Sequence, residues 1–327
     1  MKRRRLGKTE LEVTPLSFGC NVFGWTADKN MAFRLLDTFV DAGCNLLDTA
    51  DVYPVWHPGN VGGESEAIIG EWLKSSGKRD RVLIATKVGM KMSPELGRES
   101  LCRDYIFKSV EDSLKRLQID CIDLYQAHND DPDTRLEETL DAFTELIKQG
   151  KVRYIGASNY KRDRLQEALS VSSKNGLARY ESLQPEYNLY AREGYESELE
   201  GLCEEAGIGV IPYYSLASGF LTGKYRSKED LNKSPRGKRV ERYLDERGEK
   251  IIEALHKVAV EYSVTPTQVA LAWLIARPSI TAPIASASKL EQMPDLLGAV
   301  ELELSSDAIE CLNGASDYAS LPSGVNS

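Results

Sequence analysis

The feature that most constrains the fold of this chain is a regular alternation of two apolar patterns. Short runs rich in β-branched residues, which are typical of buried strands, are separated by longer segments whose apolar residues recur at helical spacing. Strands are predicted at residues 13–19, 45–50, 81–87, 121–128, 152–158, 181–185, 209–214 and near 280–284. Helices are predicted at residues 31–42, 65–74, 105–117, 136–149, 162–169, 195–206, 250–262 and 266–276.

Strands that alternate with helices form right-handed βαβ units, and such units build a parallel sheet. Eight units in 327 residues, with no composition break between them, favour one closed (β/α)8 TIM barrel over two doubly wound domains. The chain 1–327 is therefore predicted to be a single domain. Residues 2–12 predict a short N-terminal hairpin that plugs the bottom of the barrel. The charged segment 226–246 predicts a long loop before the last helices, which is either functional or a solvated surface excursion.

Charge and composition exclude several classes of protein. The net charge of −9 argues against a nucleic-acid binder, which needs a basic stripe to displace counterions from phosphates. The six cysteines are scattered with no CxxC pair, a pattern that indicates reduced thiols in the cytoplasm. The basic first residues lack the apolar run of a signal peptide, and no apolar stretch is long enough to cross a bilayer. We expect neither a membrane nor a nucleic acid as partner, and the sequence leaves room for a homo-oligomer.

Four ionisable residues mark the ends of neighbouring predicted strands. Asp48, Lys87 and His128 each end a strand, and Tyr53 follows Asp48 by five residues. Because the chemistry of a barrel lies at the carboxyl ends of its strands, these residues are predicted to meet. Each of them alone has a structural interpretation, whereas all four together are hard to explain as packing.

The four residue types together predict proton transfer to a carbonyl oxygen. A phenol with a pKa near ~10 is a poor acid at neutral pH. An ammonium beside Tyr53 makes its deprotonation easier, and Asp48 can hold Lys87 in place and keep it charged. A neutral His128 imidazole can orient the carbonyl by donating a hydrogen bond.

The sequence offers neither a metal site nor a covalent nucleophile. It has three histidines without HExxH or paired-His spacing, no GxSxG elbow and no P-loop. An acid without a source of electrons implies that a cofactor delivers a hydride. No GxGxxG follows a strand, so a dinucleotide is not expected to bind in the Rossmann manner.

The remaining strand ends carry groups that suit a dinucleotide. Side-chain amides and a hydroxyl there can hold a carboxamide, and a tyrosine can stack on a flat ring. The small-residue stretch 215–224 can cradle a pyrophosphate, and the segment from Ser286 leads into a helix start suited to a phosphate. The candidates are Ser158, Asn159, Gln184, Tyr213, Ser215, Leu216, Ser218, Gly219, Lys224, Ser286 and Ser288.

Long motifs in this sequence resemble those of the aldo-keto reductases. The resemblance covers essentially the whole chain and includes LLDTADVY at 46–53, GESEAIIG at 63–70, ATKVG at 85–89, GKVRYIGASN at 150–159 and LASGFLTGKY at 216–225. The motifs are most similar to those of bacterial oxidoreductases that are related to potassium-channel β subunits. The resemblance implies a (β/α)8 barrel and a catalytic tetrad of Asp48, Tyr53, Lys87 and His128, with Tyr53 as the general acid.

The same resemblance implies a bound NADPH, with NADH as the alternative. Ser158, Asn159 and Gln184 would hold the carboxamide, with Tyr213 under the ring and Leu216, Ser218 and Lys224 along the pyrophosphate. Ser286, Ser288 and Gln292 would hold the adenosine end. Ser288 stands where relatives often have Arg, so Lys289, Arg236 or Arg239 would have to supply the charge for a 2′-phosphate.

A small aldehyde, ketone or sugar-derived carbonyl is the expected substrate. Trp56 and His57 would overhang the pocket, and Phe23 and Trp25 would form the opposite wall. Two alternatives to a reductase remain. One is a cofactor-sensing partner subunit with little turnover, and the other is a barrel that binds no dinucleotide.

Overall fold

The structure, a computed structural model, describes residues 2–90 and 100–318. The strands are β1 (Arg4–Arg5), β2 (Glu12–Val13), β3 (Ser17–Gly19), β4 (Leu46–Asp48), β5 (Leu83–Val88), β6 (Ile122–Ala127), β7 (Val152–Ser158), β8 (Tyr180–Gln184), β9 (Gly209–Val210) and β10 (Ile284–Ala285). The α-helices are α1 (Lys29–Asp41), α2 (Glu64–Ser76), α3 (Arg103–Leu117), α4 (Leu136–Lys148), α5 (Arg162–Asn175), α6 (Glu193–Glu196), α7 (Glu200–Ala206), α8 (Gly237–Val240), α9 (Glu246–Tyr262), α10 (Pro266–Ala276), α11 (Met293–Gly298) and α12 (Ser306–Ala315).

Strands β3 to β10 form one parallel sheet that follows the order of the chain, with β10 beside β3. The two ends of this sheet also meet. The Thr281 N–H donates to the Val210 carbonyl at 2.8 Å, and the Ile284 N–H donates to the Pro212 carbonyl at 2.9 Å. The predicted (β/α)8 barrel is thereby confirmed.

The predicted N-terminal hairpin is present at the amino ends of the barrel strands. β1 and β2 pair in antiparallel register, and the apolar side chains around their turn pack on the inward residues of the barrel. Gly7 turns the hairpin with φ of +58°, and a Cβ there would lie 2.2 Å from the Glu181 carbonyl oxygen. Any other residue at Gly7 would force the hairpin off the barrel. The hairpin covers this end of the barrel, and the carboxyl ends of the strands lie at the opposite end.

The ends of the helices follow local sequence signals. The Asp28 side chain accepts from the Met31 N–H at the start of α1, and Thr265 forms a capping box with Gln268 at the start of α10, where Pro266 takes the first helical position. No helix among the described residues is long and apolar enough to span a membrane. All six cysteines lie in the described ranges, and none of them forms a disulfide.

Several predicted elements differ from the structure. The predicted strand 13–19 is divided into β2 and β3, the strand predicted near 280–284 is β10 (Ile284–Ala285), and the predicted helix 162–169 continues to Asn175. Three further differences follow. The predicted strand 209–214 stops at Val210, because Pro212 has no N–H to offer a ladder. The predicted helix 195–206 is divided into α6 and α7, and the division falls at Ser197, whose backbone N–H and hydroxyl both donate to the Glu193 carbonyl. The predicted loop 226–246 contains short helical turns at Lys228–Lys233, Gly237–Val240 and Glu241–Tyr243.

Candidate active site

A buried ion pair lies at the carboxyl ends of β4 and β5. Asp48 pairs with Ala85 in the parallel register, so Lys87 projects from the same face two residues further along. The Lys87 Nζ donates to Asp48 Oδ2 at 2.8 Å and to the Thr49 carbonyl at 2.8 Å. Lys87 is fully buried, and Asp48 is 3% exposed. The fold thus buries two opposite charges, and each charge compensates for the burial of the other.

The ammonium of Lys87 keeps its proton despite this burial. Burial by itself lowers the pKa of a lysine, but the Asp48 carboxylate and the Tyr53 hydroxyl outweigh it and raise the pKa of Lys87 above its ordinary value. Lys87 therefore carries a permanent positive charge at neutral pH.

Tyr53 lies next to this ion pair. It lies on the turn after β4, and the Lys87 Nζ is 5.0 Å from the centroid of its ring. Burial raises the pKa of the Tyr53 hydroxyl, the Lys87 charge opposes this effect, and Asp48 adds to it. Lys87 lowers the pKa of Tyr53, as the sequence analysis predicts. Burial raises this pKa by more, so the Tyr53 hydroxyl keeps its proton at neutral pH.

The His128 ring completes the cluster. Its centroid lies 5.7 Å from that of Tyr53, and the backbone N–H of His128 donates to the Val88 carbonyl at the end of β5. Burial and the nearby Lys87 charge hold the pKa of the imidazole well below its usual range. The ring is therefore neutral, and within the described part of the chain its buried Nδ1 has no hydrogen-bond partner.

Two glutamines lie beneath the cluster, and one of them was not anticipated. The Gln184 amide donates to Asp48 Oδ1 at 2.8 Å and contacts Gln126 Oε1 at 3.3 Å. Gln126 is fully buried and lies two residues before His128 on β6, so both face the barrel interior. Every second side chain of a strand lies on the same face, so the sequence could have placed Gln126 on the face of His128. The Gln184 amide therefore orients the Asp48 carboxylate, and the Gln126 amide lies 3.5 Å from the same oxygen.

A row of polar groups continues along the ends of β7 and β8. The Ser158 hydroxyl donates to the Gln184 carbonyl at 2.8 Å, and the Asn159 amide donates to the His128 carbonyl at 3.0 Å. The Tyr213 hydroxyl donates to Asn159 Oδ1 at 2.8 Å. Burial raises the pKa of Tyr213, which preserves it as a donor. The row therefore connects the cluster to the loop that follows β9.

The loop after β9 makes a tight turn at three small residues. Ala217, Ser218 and Gly219 all have positive φ values of 47°, 58° and 97°. Leu216 is half-buried and Ser215 is buried, with its hydroxyl donating to the Pro212 carbonyl. A backbone of this shape, with few side-chain atoms in the way, suits a phosphate.

Lys224 and the residues after β10 lie on the continuation of this edge. The Lys224 Nζ would be 3.5 Å from a Cβ at Gly219, and no acidic partner of Lys224 is found among residues 2–90 and 100–318. The Ser286 hydroxyl contacts Asn21 Oδ1 at 2.9 Å, and the Ser288 N–H donates to Gln292 Oε1 at 2.8 Å. The row of amides, the curled loop and the unpaired ammonium fit a nicotinamide dinucleotide laid along the mouth of the barrel.

Aromatic side chains stand on the open side of Tyr53. The Trp56 ring lies edge-on to Tyr53 at 5.5 Å between centroids, and Trp25 lies edge-on to Trp56 at 5.7 Å. Trp56 is 37% exposed, and His57 beside it is half-buried. Trp25 was predicted in the wall opposite Trp56, but it packs against Trp56, so the two rings form one wall.

Phe23 does not join them. Its side chain is fully buried and stacks on Phe18 at 5.8 Å between ring centroids. A side chain with no accessible surface cannot touch a substrate, so the structure places Phe23 in the core behind the predicted wall. The hydrophobic gain from burying a phenylalanine explains this orientation.

Comparison of the sequence with known proteins identifies a family. The profile of the Aldo/keto reductase family matches residues 15–317. Aldo-keto reductase yakc [NADP(+)] of Schizosaccharomyces pombe is 32% identical over 94% of this chain and 89% of that protein. The uncharacterized oxidoreductase YrpG of Bacillus subtilis is 35% identical over 96% of this chain and 95% of that protein. Protein tas of Escherichia coli K12 is 32% identical over 94% of this chain and 96% of that protein.

Proposed function

The chain belongs to the aldo/keto reductase family, and we propose that it reduces a small aldehyde, ketone or sugar-derived carbonyl to the alcohol with NADPH. Membership and the names of the relatives support an oxidoreductase that uses a nicotinamide cofactor. The observation that carries the proposal is the buried Lys87–Asp48 pair beside Tyr53, because burial of a charged pair is costly and perturbed ionisable groups cluster at functional sites.

NADPH, with NADH as the alternative, supplies the hydride when it is bound. Asn159, Ser158 and Gln184 would hold its carboxamide, and Tyr213 would support the ring. Leu216, Ser218 and Lys224 would line the pyrophosphate, with Ser286, Ser288 and Gln292 at the adenosine end. The curled backbone at 217–219 supports this arrangement, because side chains there would crowd a phosphate.

Tyr53 supplies the proton in this proposal. Its hydroxyl gives a proton to the carbonyl oxygen as negative charge develops there, and the Lys87 ammonium stabilises the phenolate that remains. Asp48 holds Lys87 at 2.8 Å, and the neutral His128 ring donates a hydrogen bond that orients the carbonyl. Trp56 and Trp25 exclude water from one side of the site.

The protonation states predict the pH dependence of the reaction. Because burial holds the pKa of His128 well below its usual value, kcat/KM for reduction should stay level as the pH falls through about 6.5. Because the pKa of Tyr53 is raised, its acid form persists on the alkaline side, and the decline should begin only near or above pH ~10. Measurement of kcat/KM against pH tests both limbs. An acid limb near pH ~6.5 that disappears in His128→Gln would contradict the assignment of a neutral imidazole.

A direct assay tests the reductase proposal. Oxidation of NADPH and, separately, of NADH is followed while a panel of aldehydes, ketones and sugar-derived carbonyls is added. We expect oxidation that depends on the carbonyl, and faster with NADPH. Tight binding of NADPH without turnover of any carbonyl would favour the cofactor-sensing alternative, and no binding of either dinucleotide would favour a barrel without a cofactor.

The cytoplasm is the proposed location. Six cysteines without a disulfide are consistent with a reducing compartment.

A further inference from the structure

The first turn of α2 carries polar residues that the proposed reaction does not use. Ser65 and Glu66, in the motif GESE at 63–66, are both fully buried, although they begin a helix on the outside of the barrel. Buried polar side chains in folded proteins are hydrogen-bonded, so their partners show what these side chains hold in place. The partners of the two residues lie at the carboxyl ends of β3, β4 and β5.

Ser65 holds the turn after β4 at both of its ends. At the beginning of the turn, the Thr49 hydroxyl lies 2.8 Å from Ser65 Oγ. At its end, the backbone N–H of Ser65 donates to the Tyr53 carbonyl at 3.2 Å. The N–H groups of a first helical turn have no partner within their own helix, so this donor can bind the turn at no cost to α2. The turn 49–53 is therefore fixed against the start of α2.

The Ser65 hydroxyl also connects two neighbouring loops. It donates its single proton to the Cys20 carbonyl at 2.9 Å, on the loop after β3, so its oxygen accepts from the Thr49 hydroxyl. The Thr49 carbonyl in turn accepts from Lys87 Nζ at 2.8 Å. Ser65 is thus connected through Thr49 to the ammonium that lies beside Tyr53.

Glu66 fixes the same helical turn to the strand of Lys87. Its Oε1 accepts from the hydroxyl of Thr86, one residue before Lys87, at 2.5 Å, and its Oε2 accepts from Arg116 Nε at 2.7 Å. A Cβ on Gly70 would lie 2.2 Å from the Arg116 carbonyl oxygen, so α2 also lies directly against α3. The start of α2 is therefore held by β5 and α3, and it can serve as a fixed support for the turn 49–53.

We propose that Ser65 is a positioning residue for carbonyl reduction, which sets the Tyr53 hydroxyl and the Lys87 ammonium relative to each other. The proposal rests on the proposed reductase function and adds a residue that acts through Thr49 and Tyr53. Displacement of a reacting group by about 1 Å can slow a reaction about 10²-fold, because the reacting atoms must align. Loss of the Ser65 hydroxyl should therefore slow the chemical step more than it weakens binding.

Three variants and a matched control test this assignment. Ser65→Ala removes the hydroxyl, Thr49→Val removes its partner, and the double variant removes both. Ser172→Ala is the control, because Ser172 is a buried serine on α5 whose hydroxyl donates to the Ala178 carbonyl at 2.9 Å, away from the site. Steady-state kinetics with NADPH and a carbonyl compound that the wild type reduces give kcat and KM. Fluorescence titration gives the dissociation constant of NADPH, and chemical denaturation gives the stability of each protein.

We expect kcat to fall about 10- to 100-fold in Ser65→Ala, with little change in KM or in the dissociation constant of NADPH. Thr49→Val should show a similar loss, and the double variant should lose no more than the larger of the two, since both changes remove the same hydrogen bond. Ser172→Ala should keep wild-type kcat even if it is destabilised as much as Ser65→Ala. A Ser65→Ala enzyme with wild-type kcat, or losses that multiply in the double variant, would overturn the proposal.

Hydrogen exchange separates failure of this proposal from failure of the reductase function. Within the turn, the Tyr53 N–H donates to the Ala50 carbonyl at 3.2 Å. Mass spectrometry of peptides that cover 49–57 should show faster exchange in Ser65→Ala than in the wild type or Ser172→Ala, whether or not any carbonyl is reduced. Unchanged exchange at 49–57 would refute the positioning role. Faster exchange there, in a protein whose wild type reduces no carbonyl, would support the hold on the turn and refute the reductase function alone.

Discussion

Phenylalanine in place of Tyr53 is expected to lower kcat for carbonyl reduction by about 10²- to 10⁴-fold. The change removes only the hydroxyl that gives its proton to the carbonyl oxygen. The ring remains, so its contacts with Trp56 and His128 are retained. The dissociation constant of NADPH should therefore change little, because the groups proposed to hold the cofactor lie on other strands.

Steady-state kinetics and fluorescence titration of NADPH measure the two effects separately. Tyr262→Phe is a matched control, since Tyr262 ends α9 and its hydroxyl accepts only from the Ser305 N–H among the bonds described. It should keep wild-type kcat. A Tyr53→Phe enzyme that retains more than about a tenth of wild-type kcat would assign the proton to another group.

Methionine in place of Lys87 is expected to abolish measurable reduction and to destabilise the fold. Asp48 is 3% exposed and would be left as a buried carboxylate without its counter-charge. Removal of one partner from such a pair costs about 3–5 kcal/mol.

The double variant Asp48→Asn with Lys87→Met separates stability from catalysis. It removes both charges, and the Asn oxygen can still accept from the Gln184 amide that now donates to Asp48. Chemical denaturation should show that the double variant is more stable than Lys87→Met alone, whereas activity stays absent. Additive losses of stability in the double variant would show that the two charges do not depend on each other.

The position of the candidate catalytic cluster could be predicted from the sequence because it depends on strand order and little else. Asp48 ends β4, Lys87 lies one residue before the end of β5, and His128 directly follows β6. Parallel strands bring their carboxyl ends to one edge, so these side chains meet. Gln126 was accessible by the same reasoning, since it shares a face with His128, but a lone glutamine in an apolar strand attracts no chemical interpretation.

Other features depend on contacts that no local pattern encodes. Phe23 and Trp25 are two residues apart in one loop, yet one is buried against Phe18 and the other lies at the mouth. Arg236 meets Trp25 across more than two hundred residues of chain, so this contact could not be foreseen. The raised pKa of Tyr53 likewise depends on how much protein surrounds the hydroxyl, which the sequence does not state.

Transfer of a label tests the central claim most directly. The enzyme is supplied with NADPH that carries deuterium on the transferred position of C4, together with a carbonyl compound that it turns over, and the alcohol is analysed by mass spectrometry. We predict one deuterium on the carbinol carbon for each NADPH oxidised, and none on that carbon when the deuterium is supplied only as solvent. An alcohol without the label, or oxidation of NADPH with no alcohol formed, would contradict the account of this chain as a carbonyl reductase.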